Sequence, residues 1–417
     1  MALPVTDLRA LVTALPGMDA LLPALAELGE PSYLVGGAVR DVLRGARSVD
    51  LDVAVEGDGP AAARALAERL GGSVVLHDRF STATVRAGSL AVDLAGTRRE
   101  VYTRPGALPT VEPASLVEDL GRRDFTVNAM AIGLTGEALG RLRDPGGGRA
   151  DLETGLIRTL HPASFLDDPT RLLRALRYES RLGFALERET ARLAREAAEA
   201  GALSTVSGVR VRVELMDLLA EPEAPRSVTR LAELGLDHAL HPAVDADPEL
   251  VAAAKLGALE TGASPALTAL AALCAGRPEV RASARDELEV WVEALGLPGP
   301  ARDAVLRAAA YANALAKALR ASWRPSELHE LLEGEPPEPL ALALALGAPE
   351  EVVLLYTRRL RSVRLEISGA DLLAAGVAES PAVGLALRET LRRKLDGELC
   401  GREEELRTAL ELAREAT

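Results

Sequence analysis

Apolar and polar positions follow two different rhythms along this chain. Over residues 1–145, short apolar runs recur at 33–35, 51–55, 74–77, 89–94 and 128–134, and each predicts a strand. Between the second and third runs, 61–70 spaces Ala and Leu as a helix does and closes on Gly71-Gly72. Asp144-Pro-Gly-Gly-Gly148 is the sharpest punctuation in the sequence. From Asp168 onward the rhythm is helical, in Ala/Leu/Arg/Glu-rich stretches such as 169–182, 187–200, 211–219 and 301–319. Pro- and Gly-bearing breaks at 221–225, 296–300 and 333–339 divide this half, and no solenoid-type repeat is visible. The pattern predicts an α+β chain: a mixed-sheet head over 1–145, a helical neck over 146–220, a helical body over 221–345 and a helical tail over 346–417.

Composition supports the helical half. Of 417 residues, 48% are hydrophobic and only 3% aromatic, so the core must be built of Ala, Leu and Val. No apolar run is long enough to span a membrane, and no basic stretch followed by an apolar one marks a signal peptide. Cys274 and Cys400 are far apart and lack partners at metal spacing, which fits a reducing, cytoplasmic setting. The net charge of −14 argues against nucleic-acid binding by the surface as a whole, yet a basic cleft can sit in an acidic protein. Arg171, Arg174, Arg177 and Arg181 share one helical face, and Arg358, Arg359, Arg361 and Arg364 form a second cluster; each also fits a solvated face.

The chemistry concentrates in residues 33–55. Gly36-Gly37 separates the 33–35 strand from a helix starting near Ala38. Glycine lets backbone amides approach phosphate oxygens, the helix start favours an anion, and Arg40 stands within reach of a phosphate. Asp41 fits either a structural partner for a nearby arginine or a direct catalytic part. The pattern is neither a Walker A loop nor a Rossmann fingerprint. Asp50 and Asp52 are two apart and so face one side of a strand that Val49, Leu51, Val53 and Val55 mark as buried. Paired carboxylates repel unless a cation lies between them, and Mg2+ is the natural occupant. Asp93, in another apolar run, is either a third carboxylate for that ion or a partner of Arg98 or Arg99.

Glu118-Asp-Leu-Gly-Arg-Arg-Asp-Phe-Thr-Val-Asn-Ala-Met-Ala131 resembles the signature of the class II tRNA nucleotidyltransferase and poly(A) polymerase family, which builds or repairs the CCA end of tRNA. Gly36-Gly-Ala-Val-Arg-Asp41 with Asp50-Leu-Asp52 is similar to its first motif, and Asp167-Asp-Pro-Thr-Arg-Leu-Leu-Arg-Ala-Leu-Arg-Tyr178 to its nucleotide-selecting helix. The 144–152 linker, Val206-Ser-Gly208 with Arg210 and Glu214, Ile367-Ser-Gly-Ala-Asp-Leu372 and Leu395-Asp-Gly397 look like further family elements. The resemblance is strong over 33–219 and looser to about 410.

The resemblance implies a polymerase-β-like head and roles for individual residues. Gly36, Gly37 and Arg40 would hold the triphosphate, Asp50 and Asp52 would be the catalytic metal ligands, and Arg123 and Asp124 would recognise the ribose with support from Asn128. Asp168 and Arg171 would read the base edge from one helical face, with Arg174 beside them. A carboxylate accepts from the amine that C and A share, while U and G carry a carbonyl there, so protein can serve as the template. Two departures stand out: Asp167 replaces the usual Glu, and Val209 stands where a glutamate is usual. The partners implied are CTP, ATP and the tRNA 3′ end, with the helical body binding tRNA by shape and phosphate. The segment 99–116 has the position of the family's flexible loop and is not shortened as in CC-only enzymes, which favours adding CCA or its terminal A over adding CC alone. A poly(A) polymerase, a non-catalytic RNA-binding protein and a transferase for small molecules are the competing readings. The five histidines form no His-Asp metal pattern, so no phosphohydrolase domain is expected.

Overall fold

A computed structural model describes residues 8–47, 50–77, 82–276 and 278–415, with the backbone alone over 278–285. It divides into two compact units, 1–214 with 230–240, and 215–229 with 241–417.

The first unit is built on strands β1 (Ser32–Val35), β2 (Leu51–Val55), β3 (Ser73–His77), β4 (Thr82–Ala87), β5 (Leu90–Gly96), β8 (Ala131–Gly133) and β9 (Leu142–Arg143), in the order β3-β4-β5-β2-β1-β8-β9. Only β2 and β5 run parallel; every other neighbouring pair is antiparallel. Alternation assigns the two faces. Leu51, Val53 and Val55 of β2 and Val92 and Leu94 of β5 point to one side. There they meet Leu21 and Leu25 of the helix Met18–Leu28, Val39 and Val42 of Gly37–Leu43, and Ala63 and Leu66 of Gly59–Arg69. Asp52 and Asp93 consequently point to the other side. Val49, expected on the same strand as Asp52, lies outside the described residues.

Two sequence expectations are corrected in this unit. The run 128–134 is not one strand: a 3-10 turn, Thr126–Asn128, precedes the short β8. On this turn Asn128 uses both ends of its amide on neighbours, donating to Asp124 and accepting from Arg40. The helix expected at 169–182 starts at Arg171, and Asp168 is extended, with φ −132° and ψ 93°. A proline ring excludes helical backbone at the residue before it, and Pro169 does so to Asp168. Asp168 and Arg171 therefore do not share a helical face. Sequence reasoning also passed over β4 and the antiparallel ribbon of β6 (Arg98–Val101) with β7 (Thr110–Pro113), so the expected loop 99–116 is largely a hairpin. A two-residue parallel pair, β10 (Leu156–Ile157) with β11 (Ala185–Leu186), interrupts the helical neck.

The second unit is all-helical among the described residues. Its centre is Pro248–Thr261, Pro265–Ala275, Gly299–Ala318 and Pro337–Ala345, packed through Ala and Leu. Towards the C-terminus, Pro381–Leu395 and Gly401–Glu415 bury Ala386, Ala409 and Ala413 around Leu372. The tail motifs are caps in this structure. Ser368 and Asp371 form a capping box, and Asp396 accepts from both the N–H and the hydroxyl of Ser326 at 2.8 Å, closing the start of Pro325–Leu332. No described helix is long and apolar enough to cross a membrane.

Small residues allow close helix contact, and Gly257 is the tightest case: a Cβ there would lie 2.4 Å from the carbonyl oxygen of Ala341. Gly257→Ala is expected to lower stability by about 1–3 kcal/mol through overpacking, despite a helix-propensity gain of about 1 kcal/mol. Denaturant unfolding checks this; an unchanged or raised midpoint would refute the close packing.

Candidate active site

One cavity of about 470 Å³ in the first unit gathers most of the residues singled out in the sequence. Gly36, Gly37, Arg40, Asp52, Arg123, Asp124, Asn128, Asp168, Arg171 and Arg174 line it. So do Glu100, Arg122, Thr170, Tyr178, Arg181 and Glu214, which the sequence had flagged only within longer segments or, for Arg181, within the arginine face. Asp50 and Asp93 lie outside its lining, beside Asp52.

The glycine pair works by different means at its two positions. Gly36 has φ +71°, which disfavours a side chain, and a Cβ there would lie 2.9 Å from Arg123 Nη1 and 4.0 Å from Asp52 Oδ2. Its amide is not available to a ligand, since it donates to the Met130 carbonyl at 3.3 Å. Gly37 opens the helix Gly37–Leu43, where the first N–H groups have no acceptor within the helix.

Asp52 is half-buried and faces Asp93 across the parallel β2–β5 register. Burial first, then the charges of Asp93 and Asp50, push its pKa up to about 6, against the pull of Arg123. Asp93 is set beside Asp52 by the sheet register. It accepts from Thr84 Oγ1 at 2.6 Å, while Arg99, its alternative partner, pairs with Glu112 at 2.7 Å. Asp41 takes the structural role: it chelates Arg40 through both oxygens at 2.9 Å.

A buried carboxylate, Asp119, was missed by sequence reasoning. One oxygen holds Arg122 at 2.8 Å and the other holds Arg123 at 2.9 Å. Burial opposes its charge, but the two guanidiniums keep its pKa below the usual carboxylate range. The signal was present, because Asp119 precedes Arg122 and Arg123 by three and four residues. Asp124 behaves alike. It is desolvated, yet Arg174 (2.8 Å), Asn128 (3.1 Å) and the Phe125 N–H (2.8 Å) keep it ionised and low. Arg174 also donates to Glu214 at 2.9 Å and to the Tyr178 hydroxyl at 3.1 Å, and Arg177 joins Glu214 at 3.0 Å.

The pair expected to read the base is organised differently from expectation. Asp168 Oδ1 accepts from the Thr170 N–H (3.0 Å), the Thr170 hydroxyl (2.6 Å) and Arg210 (2.8 Å). Arg171 is only 5% exposed and donates to neutral oxygens, Ser164 Oγ and the Arg122 carbonyl, both at 2.7 Å. Asp167 reaches no arginine in this geometry; His161 is its partner, at 4.0 Å. Arg210 ties the tip of the β6–β7 hairpin to Asp168, since it also donates to the Gly106 carbonyl at 3.0 Å. Val209, the other departure, is exposed.

Residues 32–158 match the family model for the poly A polymerase head domain, and 183–247 match that for the probable RNA and SrmB-binding site of polymerase A. The chain is 35% identical to an A-adding tRNA nucleotidyltransferase of Geobacter sulfurreducens across 94% of its own length, but spans only 47% of that relative. It is 34% identical to a CC-adding tRNA nucleotidyltransferase of Deinococcus radiodurans, covering 90% of this chain and 88% of that one. A solved Thermotoga maritima CCA-adding enzyme complexed with tRNA superposes with a TM-score of 0.77 at 30% identity, covering 97% of this chain and 98% of the other. The sheet, the helical architecture and these matches agree, and the chain belongs to the tRNA nucleotidyltransferase and poly(A) polymerase family.

Proposed function

We propose that this chain adds CCA, or its terminal A, to the 3′ end of tRNA from CTP and ATP without a nucleic-acid template. What supports this most is the meeting of Asp52, Gly36, Arg123 and Asp168 in one cavity. A triphosphate, a ribose and a base edge would each find fitting groups there. A tRNA substrate fits the reducing, cytoplasmic setting that the two free cysteines also suit.

The carboxylates fit a hard divalent cation by their chemistry: Asp52 is raised first by burial and then by the charges of Asp93 and Asp50, which Arg123 only partly offsets. No three acidic, histidine or cysteine side chains among the described residues converge to ligate an ion alone. Asp50 and Asp52, with Asp93 beside them, would share Mg2+ with phosphate oxygens of the nucleotide. When bound, it would activate the tRNA 3′ hydroxyl and offset charge on the α-phosphate and the pyrophosphate. Gly37 and Arg40 would bind the triphosphate, and Arg123, fixed by Asp119, would bring a cation to the same place without reorganisation. Asn128 and Asp124 would frame the ribose, and Arg174 would brace them. Asp168 Oδ2, which accepts from no described residue, would take the exocyclic amine of C or A. Arg171 would donate to the ring nitrogen or carbonyl. The division into head 1–145, neck 146–220, body 221–345 and tail 346–417 remains our reading of where these tasks lie, with the tail contacting tRNA.

A second reading, addition of CC alone, draws support from the Deinococcus relative. Labelled CTP and ATP offered separately to tRNA ending before CCA, after CC or at a full CCA end distinguish these. A incorporation on CC-ended tRNA is expected, while incorporation of C alone would establish the second reading. No incorporation on any acceptor in Mg2+ would sink both. In the same assay Asp168→Ala is expected to lose roughly tenfold or more of the discrimination against UTP and GTP; unchanged selectivity would remove Asp168 from base reading.

Folding itself reports on the cluster. Asp52 holds its proton more tightly folded than unfolded, so its charge costs stability. That cost is absent below the ordinary carboxylate range, grows as pH rises towards about 6 and is full above it. In EDTA, Asp52→Asn should therefore raise the Tm at pH 8 and lose that advantage as pH falls towards 4. Added Mg2+ should raise the Tm of the unmodified protein more than that of the variant. A variant with lower Tm at pH 8 in EDTA would contradict the electrostatic account.

A further inference from the structure

Tyr178 lies on the cavity face of the helix Arg171–Leu182 and has no assigned part in nucleotide binding. Its ring is contacted by three guanidiniums: Arg40 and Arg174 at 5.5 Å and Arg177 at 5.7 Å from the centroid. Phe125 closes the ring edge-on, with centroids 5.9 Å apart and planes at 79°. The ring is therefore fixed on several sides by cation–π and aromatic contacts. Its hydroxyl accepts a hydrogen bond from Arg174 Nη2 at 3.1 Å. A phenol has one hydrogen to donate, and no described residue accepts it.

A fixed O–H donor on a wall shared with Arg40 and Arg123 is built for an anionic oxygen. We propose that the Tyr178 hydroxyl donates to a phosphate oxygen of the bound nucleotide. This rests on the reading of the cavity as a nucleotide site. Arg40, whose guanidinium lies beside Gly37, is one of the three on the ring, and Arg174, paired with Asp124, is another, so Tyr178 bridges the glycine pair and the Asp124–Arg174 pair. A ribose hydroxyl would be the weaker acceptor, since bonds to charged oxygens are about twice as strong as neutral ones.

The test is equilibrium binding of ATP, AMP and adenosine in Mg2+ without tRNA, so that no transfer occurs. Tyr178→Phe keeps the ring and its guanidinium contacts and removes only the hydroxyl. Its affinity for ATP should fall by about tenfold or more at unchanged Tm, while the two proteins bind adenosine equally. Tyr178→Leu, which removes the ring as well, should weaken ATP further. Equal ATP affinity in the unmodified and Phe proteins overturns the hydroxyl contact, including the case where only Leu weakens binding. The same loss with adenosine as with ATP overturns the phosphate assignment. ATP binding by neither protein overturns the nucleotide-site reading itself and this contact with it.

Discussion

The ion pair of Asp124 with Arg174 is the constraint on which the rest of the cavity depends. Asp124 sits beside a fully buried Phe125, and its oxygens meet four N–H donors from three residues. Through Asn128 it fixes Arg40; through Arg174 it fixes Glu214 and Tyr178. Removing one partner of this partly buried pair would strand the other charge at a cost in stability. Here it would also release groups at both ends of the cavity.

Asp119 applies the same logic at the neighbouring position. Its two oxygens hold Arg122 and Arg123, and Arg122 continues to Glu100 on the β6–β7 hairpin at 2.7 Å. The hairpin is held at its tip as well, where Gly106 donates to the Leu166 carbonyl at 3.1 Å and accepts from Arg210. Arg122 and Arg123, which line the cavity, are thus carried by Asp119, a carboxylate outside the lining. Such an arrangement places charge before the reaction begins.

Much of this was legible in the sequence. Period-two alternation around Asp52 gives its face directly, and β2 has the expected bounds 51–55. The glycine pair leaves a local signature of its own, whereas Arg123, Asp124 and Asp168 stood out only through the family motifs that contain them. What was not legible depends on tertiary partners. Nothing local distinguishes the apolar run 128–134 from a strand until Asn128 meets Arg40 and Asp124. The bidentate grip of Asp41 on Arg40, and the parallel β2–β5 pairing that sets Asp93 beside Asp52, appear only in the structure. The hairpin ends and the capping roles of Asp371 and Asp396 likewise need long-range geometry.

The extended backbone of Asp168 carries a thermodynamic consequence. Pro169 restricts the residue before it in the unfolded chain as well as in the folded one, so part of the ordering of Asp168 is covalent. Thr170 and Arg210 then fix the carboxylate itself. Little rotamer entropy is then left for a ligand to remove. In the proposed base-reading role, an incoming base would meet an acceptor that is already fixed, and discrimination would depend on how the base is seated.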